Sequence, residues 1–160
     1  MRDRKVSPLP VIASVLFAIV AADAMAGGLL LSNRDRALAI NAWGGANVGT
    51  VLRLHNGCRP NNPDCTWTYS RGMLISDANP GLAISVVGSP QNGAELKLVQ
   101  NCRPETPACR WTYRDGMFFN DASQKPPLAI SASGGARYGT VLKLSDACRA
   151  DNPDCTWSRQ

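Results

Sequence analysis

Six cysteines, one histidine and four tryptophans carry most of the chemistry available to this 160-residue chain, and their spacing narrows what that chemistry can be. The cysteines fall as Cys58/Cys65, Cys102/Cys109 and Cys148/Cys155, each pair seven residues apart. Zinc sites favour cysteines two to four residues apart, often with histidine, and His55 is the sole histidine, so no metal site is expected. Six thiols permit 15 pairings, but the three pairs sit at equivalent points of a repeated unit, and equivalent units most simply form equivalent bonds. Each cysteine is therefore expected to pair with its partner seven residues away. Closing so short a loop contributes about 2–3 kcal/mol by chain entropy. Nothing resembles catalytic machinery: no nucleophile elbow and no paired carboxylates in a recognisable setting. Asp151 and Asp154 lie in a proline-bearing cysteine loop and read as solvated acids rather than as an acid–base pair. The chain is expected not to be an enzyme and to need no cofactor.

The elements that position these residues recur three times between Gly28 and Gln160. Gly28-Leu29-Leu30-Leu31-Ser32, Gly72-Met73-Leu74-Ile75-Ser76 and Gly116-Met117-Phe118-Phe119-Asn120 open the copies, and a Leu-Ala-Ile tripeptide follows at Leu38, Leu82 and Leu128. Thr50–Leu54, Ala94–Leu98 and Thr140–Leu144 come next, and each copy closes on Cys-x-Trp at Trp67, Trp111 and Trp157. The tryptophans are 44 and 46 residues apart, so the copies (28–71, 72–115 and 116–160) are in register. A fixed period in this range marks units that bury their apolar faces only against one another, and three without distinct capping units suggest a closed ring. Four short runs per copy read as strands; in the first they are Gly28–Asn33, Leu38–Trp43, Thr50–His55 and Cys65–Ser70. Val51-Leu52-Arg53-Leu54-His55 alternates, with Arg53 turned away from the apolar face. Gly44-Gly45, Asn79-Pro80-Gly81, Gln91-Asn92-Gly93 and Gly134-Gly135 supply turns. Twelve such strands leave a sandwich, a barrel or a small propeller, and a count of three disfavours the propeller. The first and last strands should then be neighbours.

Residues 1–26 read as a cleavable signal peptide. Arg2, Arg4 and Lys5 precede the apolar run Val11–Ala22, and Ala24-Met25-Ala26 is an A-x-A cleavage site. The run is too short for a membrane span, and Asp23 ends it. The single domain 27–160 is therefore expected to be secreted or periplasmic, without stable membrane insertion. The whole chain has 17 basic and 12 acidic residues. Residues 1–26 hold three and two of these, which leaves 14 and 10 interspersed along the domain. No basic stripe of the kind nucleic acid requires is present.

Three copies of four strands, each ending in x-x-Trp, resemble the ricin-type β-trefoil lectins, with Cys-x-Trp standing where that family has Gln-x-Trp. The resemblance implies an all-β fold, a six-stranded barrel capped by three hairpins, with Trp67, Trp111 and Trp157 in the core. It also implies a glycan partner. In that family an Asp of the second strand accepts hydrogen bonds from sugar hydroxyls, an aromatic after the third strand stacks on the ring, and an Asn before Gln-x-Trp holds another hydroxyl. Here those positions fall at or beside Ala39, Ala83 and Ala129; at His55, Val99 and Ser145; and at Asp64, Ala108 and Asp154. The first copy alone keeps a ring, so an altered site is expected there, built from Asn41, Trp43, Asn47 and His55. Trp43 is the tryptophan outside the repeated core position, with Val87 and Ser133 as its equivalents. The second copy offers Ser85, Gln91 and Asn92, and the third Ser131, Arg137 and Tyr138.

Arg59, Arg103 and Arg149 follow the first cysteine of each pair and could gather an anion or pair locally with Asp64 or Asp154. The rival to a lectin-like module is a protein-interaction module, such as a toxin delivery subunit or a protease inhibitor. The segment Ala122–Pro127, two residues longer than its counterparts, is the candidate inhibitory loop, with Lys125 ahead of Pro126. The symmetry of the copies makes one prediction directly. Peptide mapping of the unreduced protein should recover only the Cys58–Cys65, Cys102–Cys109 and Cys148–Cys155 bridges, and any bridge between copies would break the equivalence.

Overall fold

The computed structural model describes residues 25–160; the basic and apolar segments expected to form a signal peptide lie outside them. Twelve strands follow in four-strand sets. The first set is β1 (Met25–Ser32), β2 (Ala39–Ala42), β3 (Leu52–His55) and β4 (Thr66–Ser70). The second is β5 (Met73–Ser76), β6 (Leu82–Val86), β7 (Leu96–Gln100) and β8 (Trp111–Arg114). The third is β9 (Met117–Gln124), β10 (Pro127–Ser131), β11 (Lys143–Ser145) and β12 (Trp157–Arg159).

The outer strands of each set close a six-stranded barrel. β1 pairs with β4, β4 with β5, β8 with β9, and β12 returns to β1, all antiparallel. Trp111 N–H donates to Gly72 O at 2.7 Å and Trp157 N–H to Gly116 O at 2.8 Å, which joins β8 to β5 and β12 to β9. No barrel edge is left open, as closure of a sheet requires. Copies are joined by the two-residue turns Arg71-Gly72 and Asp115-Gly116, all four residues having φ between 51° and 79°. Two successive positive φ values give the turn whose twist matches a tight hairpin, and glycine takes the second without a Cβ penalty.

The inner strands form three hairpins, β2–β3, β6–β7 and β10–β11, that cap one end of the barrel. Around the pseudo-threefold axis Leu54 N–H donates to Thr140 O, Leu98 N–H to Thr50 O and Leu144 N–H to Ala94 O, at 2.8–3.0 Å. Cap and barrel share one core: Leu38, Ile40, Leu52 and Leu54 with their counterparts in the other copies, plus Trp67, Trp111 and Trp157, each at most 2% exposed for the tryptophans. This is the β-trefoil that the resemblance implies.

The Leu29-Leu30-Leu31 run is apolar throughout because both faces of β1 are covered. Leu30 enters the barrel core, whereas Leu29 and Leu31 pack outside it with Ala39, Cys58 and Cys65. Met117, Ala129, Cys148 and Cys155 repeat this satellite core in the third copy. All three local disulfides are formed, with Cα–Cα separations of 5.6, 5.8 and 5.5 Å. Each loop turns inward on the same bonds: Asn62 to Arg59 O and Cys65 to Asn62 O in the first copy, with matching bonds in the others, at 2.9–3.0 Å.

The open end of the barrel breaks the symmetry. Two residues past the core tryptophan stand Tyr69, Tyr113 and Arg159. The Tyr69 hydroxyl donates to Trp111 O at 2.7 Å and the Tyr113 hydroxyl to Trp157 O at 3.1 Å. Burial pushes the Tyr69 phenol above its usual titration range, which keeps it a donor. The third phenol is missing, and a mostly apolar cavity of about 100 Å³ lies among Leu30, Trp67, Leu74, Phe118 and Trp157, with Arg159 at its rim. Filling voids recovers up to about 24 cal/mol per Å³. Arg159→Tyr should therefore raise the thermal midpoint by several degrees in a calorimetric scan, because each kcal/mol is worth about 3–5 °C at this size; an unchanged or lower midpoint would show that the cavity is not the vacancy of a third tyrosine.

Candidate functional site

Each hairpin turn leans onto the neighbouring copy, and this builds three equivalent clefts between copies. Gly139 N–H donates to Leu54 O, Gly49 N–H to Leu98 O and Gly93 N–H to Leu144 O, each at 2.8 Å. The residue before each of these glycines is thereby set beside the end of another copy's third strand. Tyr138 meets His55, with Trp43 from the same hairpin as His55. By the same scaffold Val48 and Asn92 take the turn position of Tyr138, with Val99 and Val87, and Ser145 and Ser133, at the positions matching His55 and Trp43. One backbone plan thus carries an aromatic cleft, an aliphatic cleft and a polar cleft.

In the aromatic cleft the three rings touch pairwise. Centroids lie 5.7 Å apart for Trp43–His55, 5.3 Å for Trp43–Tyr138 and 5.2 Å for His55–Tyr138, with interplanar angles near 60°. Edge contacts of this kind suit aromatic quadrupoles. Tyr138 is the most open of the three at 57% exposure. Trp43 is half-buried, and its indole lies against the turn at Gly139, 3.9 Å from where a Cβ there would sit. The Arg53 guanidinium lies 5.4 Å from the Trp43 ring centroid and donates to Gly139 O at 3.4 Å. His55 Nδ1 accepts the Gly57 N–H at 2.7 Å, so in the neutral imidazole the proton is on Nε2, available to donate.

Two of the four residues expected at this site are placed elsewhere. Asn41 is buried at 7%, and its amide nitrogen donates to Asp64 O at 3.3 Å and lies 3.3 Å from Cys65 Sγ. It clamps the disulfide loop, as Ser85 does in the second copy through Ala108 O at 2.9 Å. Asn47 is exposed, but its turn leans on Leu98 of the second copy, away from His55, and among the described residues no hydrogen bond ties its side chain to the rings. Trp43 and His55 do meet. Tyr138, assigned by sequence to the third copy, completes the cluster, and Arg53 joins it across the bridge to Val141. The local sign of Tyr138's role is the replacement of Asn47-Val48 by Arg137-Tyr138 within otherwise matching turns.

The position where the resemblance puts a sugar-binding Asp is sealed. Ala39, Ala83 and Ala129 are 0%, 3% and 0% exposed, and Ala39 and Ala129 pack against the disulfides of their copies. A carboxylate there would be desolvated without a partner, which is costly. The three arginines after the first cysteines do not pair with Asp64 or Asp154. Arg59 donates to Cys58 O and Arg149 to Cys148 O, both at 2.7 Å, and Arg149 also to Asp146 O at 3.1 Å. Ala122–Pro127 extends the β9–β10 hairpin, with Gln124 opposite Pro127, a register shift before Ala129, and Lys125 exposed at the tip. Among the described residues no group of three or more His, Cys, Asp or Glu could hold a metal.

No family model matches the chain, and no curated protein matches it. Solved structures do. The β-trefoil lectin of the Vibrio vulnificus hemolysin/cytolysin, solved with N-acetyl-D-lactosamine bound, is 15% identical over 86% of this chain and 96% of its own, with a TM-score of 0.67. The C-half of an earthworm R-type lectin in complex with GalNAc is 12% identical over 84% of this chain and 97% of its own, with a TM-score of 0.65. The agglutinin of Abrus precatorius is 16% identical over 92% of this chain and 51% of its own, with a TM-score of 0.68. At these identities the likeness establishes the β-trefoil fold, one shared with lectins.

Asp154 does pair, but with Arg34 of the first copy. The guanidinium Nε and Nη2 each lie 3.0 Å from a carboxylate oxygen, and Ala136 N–H donates to Oδ1 at 3.2 Å. This fork ties the β1–β2 loop to the last disulfide loop beside the β10–β11 turn that carries Tyr138. The Arg34 hydrogen bond, assisted by Ala136 N–H, holds the Asp154 carboxyl below its usual value of 3.8 against an opposing desolvation effect. Because the folded pKa is depressed, the stability it contributes is present above the ordinary carboxylate range and is lost as pH falls through the folded value. Asp154→Asn should accordingly melt a few degrees below the parent at pH 7 and level with it well below pH 3.8; a gap that persists in acid would assign the loss to something other than this pair.

Proposed function

We propose that the protein is an exported, non-catalytic carbohydrate-binding module that takes a saccharide at the Trp43–His55–Tyr138 cleft. The observation that carries this reading is the gathering of three rings, from two copies, in one of three equivalent clefts. The barrel core needs no aromatic there, since Val87 and Ser133 occupy the matching positions. A sugar ring has an apolar face rimmed by donors and acceptors, so it is held by an exposed aromatic surface beside convergent polar groups. Tyr138 and Trp43 supply that surface; His55 Nε2, the Tyr138 hydroxyl and Arg53 supply the polar groups. The sealed Asp position makes the site an altered one relative to ricin-type lectins. Three solved lectins with the same fold support the class without fixing the sugar, because fold alone does not determine function.

The test is a glycan array probed with oxidised 27–160 and with Trp43→Ala and Tyr138→Ala. A defined set of glycans should be retained by the parent, and each substitution should weaken retention about three- to tenfold, the range of one aromatic contact. Tyr138→Ala, at an exposed position, should leave the thermal midpoint within about 2 °C. Silence across the array from folded protein would shift the assignment to a protein-interaction module, and binding indifferent to both substitutions would move the site elsewhere.

A further inference from the structure

We infer that the saccharide read by this cleft is anionic, its charge carried by a carboxylate or a sulfate; the inference rests on the carbohydrate reading above. It follows from the balance of donors and acceptors. A neutral sugar presents hydroxyls that must both donate and accept, and the family pattern meets the donors with a carboxylate. That acceptor is absent here, its position closed by Ala39 under the Cys58–Cys65 bridge. Apart from the Tyr138 hydroxyl, which can also accept, the side chains named around the rings donate. A guanidinium has five N–H donors and no acceptor, and Arg53 commits one nitrogen to Gly139 O. Arg137, adjacent to Tyr138, is exposed. His55 has its acceptor nitrogen occupied by Gly57 N–H, leaving an N–H to offer. A ligand that fits this set brings acceptors and negative charge.

The matching positions of the other copies sharpen the point. Lys97 and Lys143 replace Arg53 there. Glu95 lies 3.9 Å from the Lys97 amine, and its backbone pairs with that of Lys143 in an isolated β-bridge. Arg53 instead faces Val141, and among the described residues neither Arg53 nor Arg137 has a carboxylate within 4.0 Å. Of the three matching cations only Lys97 has a carboxylate within 4.0 Å among the described residues, and of the two that do not, Arg53 is the one stacked beside the rings. A planar guanidinium over an aromatic face also matches the geometry of carboxylate and sulfate oxygens better than a lysine would.

Matched polymers test this. Binding of oxidised 27–160 is measured by calorimetry to polygalacturonate, to the same polymer with its carboxyls reduced to alcohols, to dextran sulfate, to neutral dextran and to polyglutamate. Binding should be confined to polygalacturonate or dextran sulfate, the preferred one naming the anion. Arg137→Gln should weaken it about three- to tenfold and Arg53→Gln more, Arg53→Lys should restore part of the loss, and Lys97→Gln should leave it unchanged. Arg137 is exposed, so its variant reads charge even if Arg53 proves to support the fold. Retention of the carboxyl-reduced polymer or dextran, insensitive to Arg137→Gln, would overturn the anionic assignment and leave the carbohydrate reading standing. Equal affinity for polyglutamate would overturn it as mere polyanion adhesion. No polysaccharide binding, with glycan arrays also silent, would remove both.

Discussion

One hydrogen bond, made three times, ties the two halves of this fold together. The indole N–H of Trp67 donates to Ile40 O at 3.0 Å, that of Trp111 to Ile84 O at 3.0 Å and that of Trp157 to Ile130 O at 3.2 Å. Each tryptophan sits on a barrel strand or at its start, and each isoleucine on a cap hairpin, always 27 residues apart. A buried indole N–H without an acceptor costs about 1–3 kcal/mol, so the ring can be buried only where a cap carbonyl meets it. That requirement fixes the height of the hairpin above the barrel. It also explains why Leu-Ala-Ile and x-x-Trp recur together: they are the two ends of one contact.

With that contact satisfied in every copy, the framework tolerates divergence wherever the backbone does the holding. The clefts between copies are the clearest case. Their walls are set by the turn glycines donating to Leu54, Leu98 and Leu144, bonds that do not involve the side chains on display. Aromatic, aliphatic and polar linings then occupy one geometry. Val48 and Val87, which stand at the aliphatic junction, are 60% and 61% exposed. The barrel mouth is less forgiving, because there the tyrosine side chain itself bridges to the next copy, and its replacement by Arg159 leaves a void.

The disulfides act on the site by exclusion. Those of the first and third copies cover the outer face of the first strand and the alanine of the second, building a small apolar core outside the barrel. This removes from solvent the place where a carboxylate would hold sugar hydroxyls. In the proposed reading, recognition moves towards the cap, onto rings and guanidinium groups at the junction of the first and third copies. The Arg34–Asp154 fork crosses the same junction, so the two copies that share the cleft are fastened by charge as well as by sheet.

The sequence alone determined the scaffold: twelve strands in three copies, the core tryptophans, the local disulfides, and the closure of first on last strand. These are properties of a single repeated unit, and a repeat displays them three times. It also brought Trp43 and His55 into consideration, because both stand where the other copies have no ring. What it did not determine was the grouping. Spacing along the chain groups residues by copy, which puts Asn41 and Asn47 with Trp43 and leaves Tyr138 apart. The fold sorts them by cleft, and each cleft is made from two copies because a turn is stabilised by donating to its neighbour's third strand. Burial decided the rest: Asn41 faces the disulfide loop because β2 is covered on both sides, a fact that follows from packing between elements and has no trace in the spacing of residues along one of them.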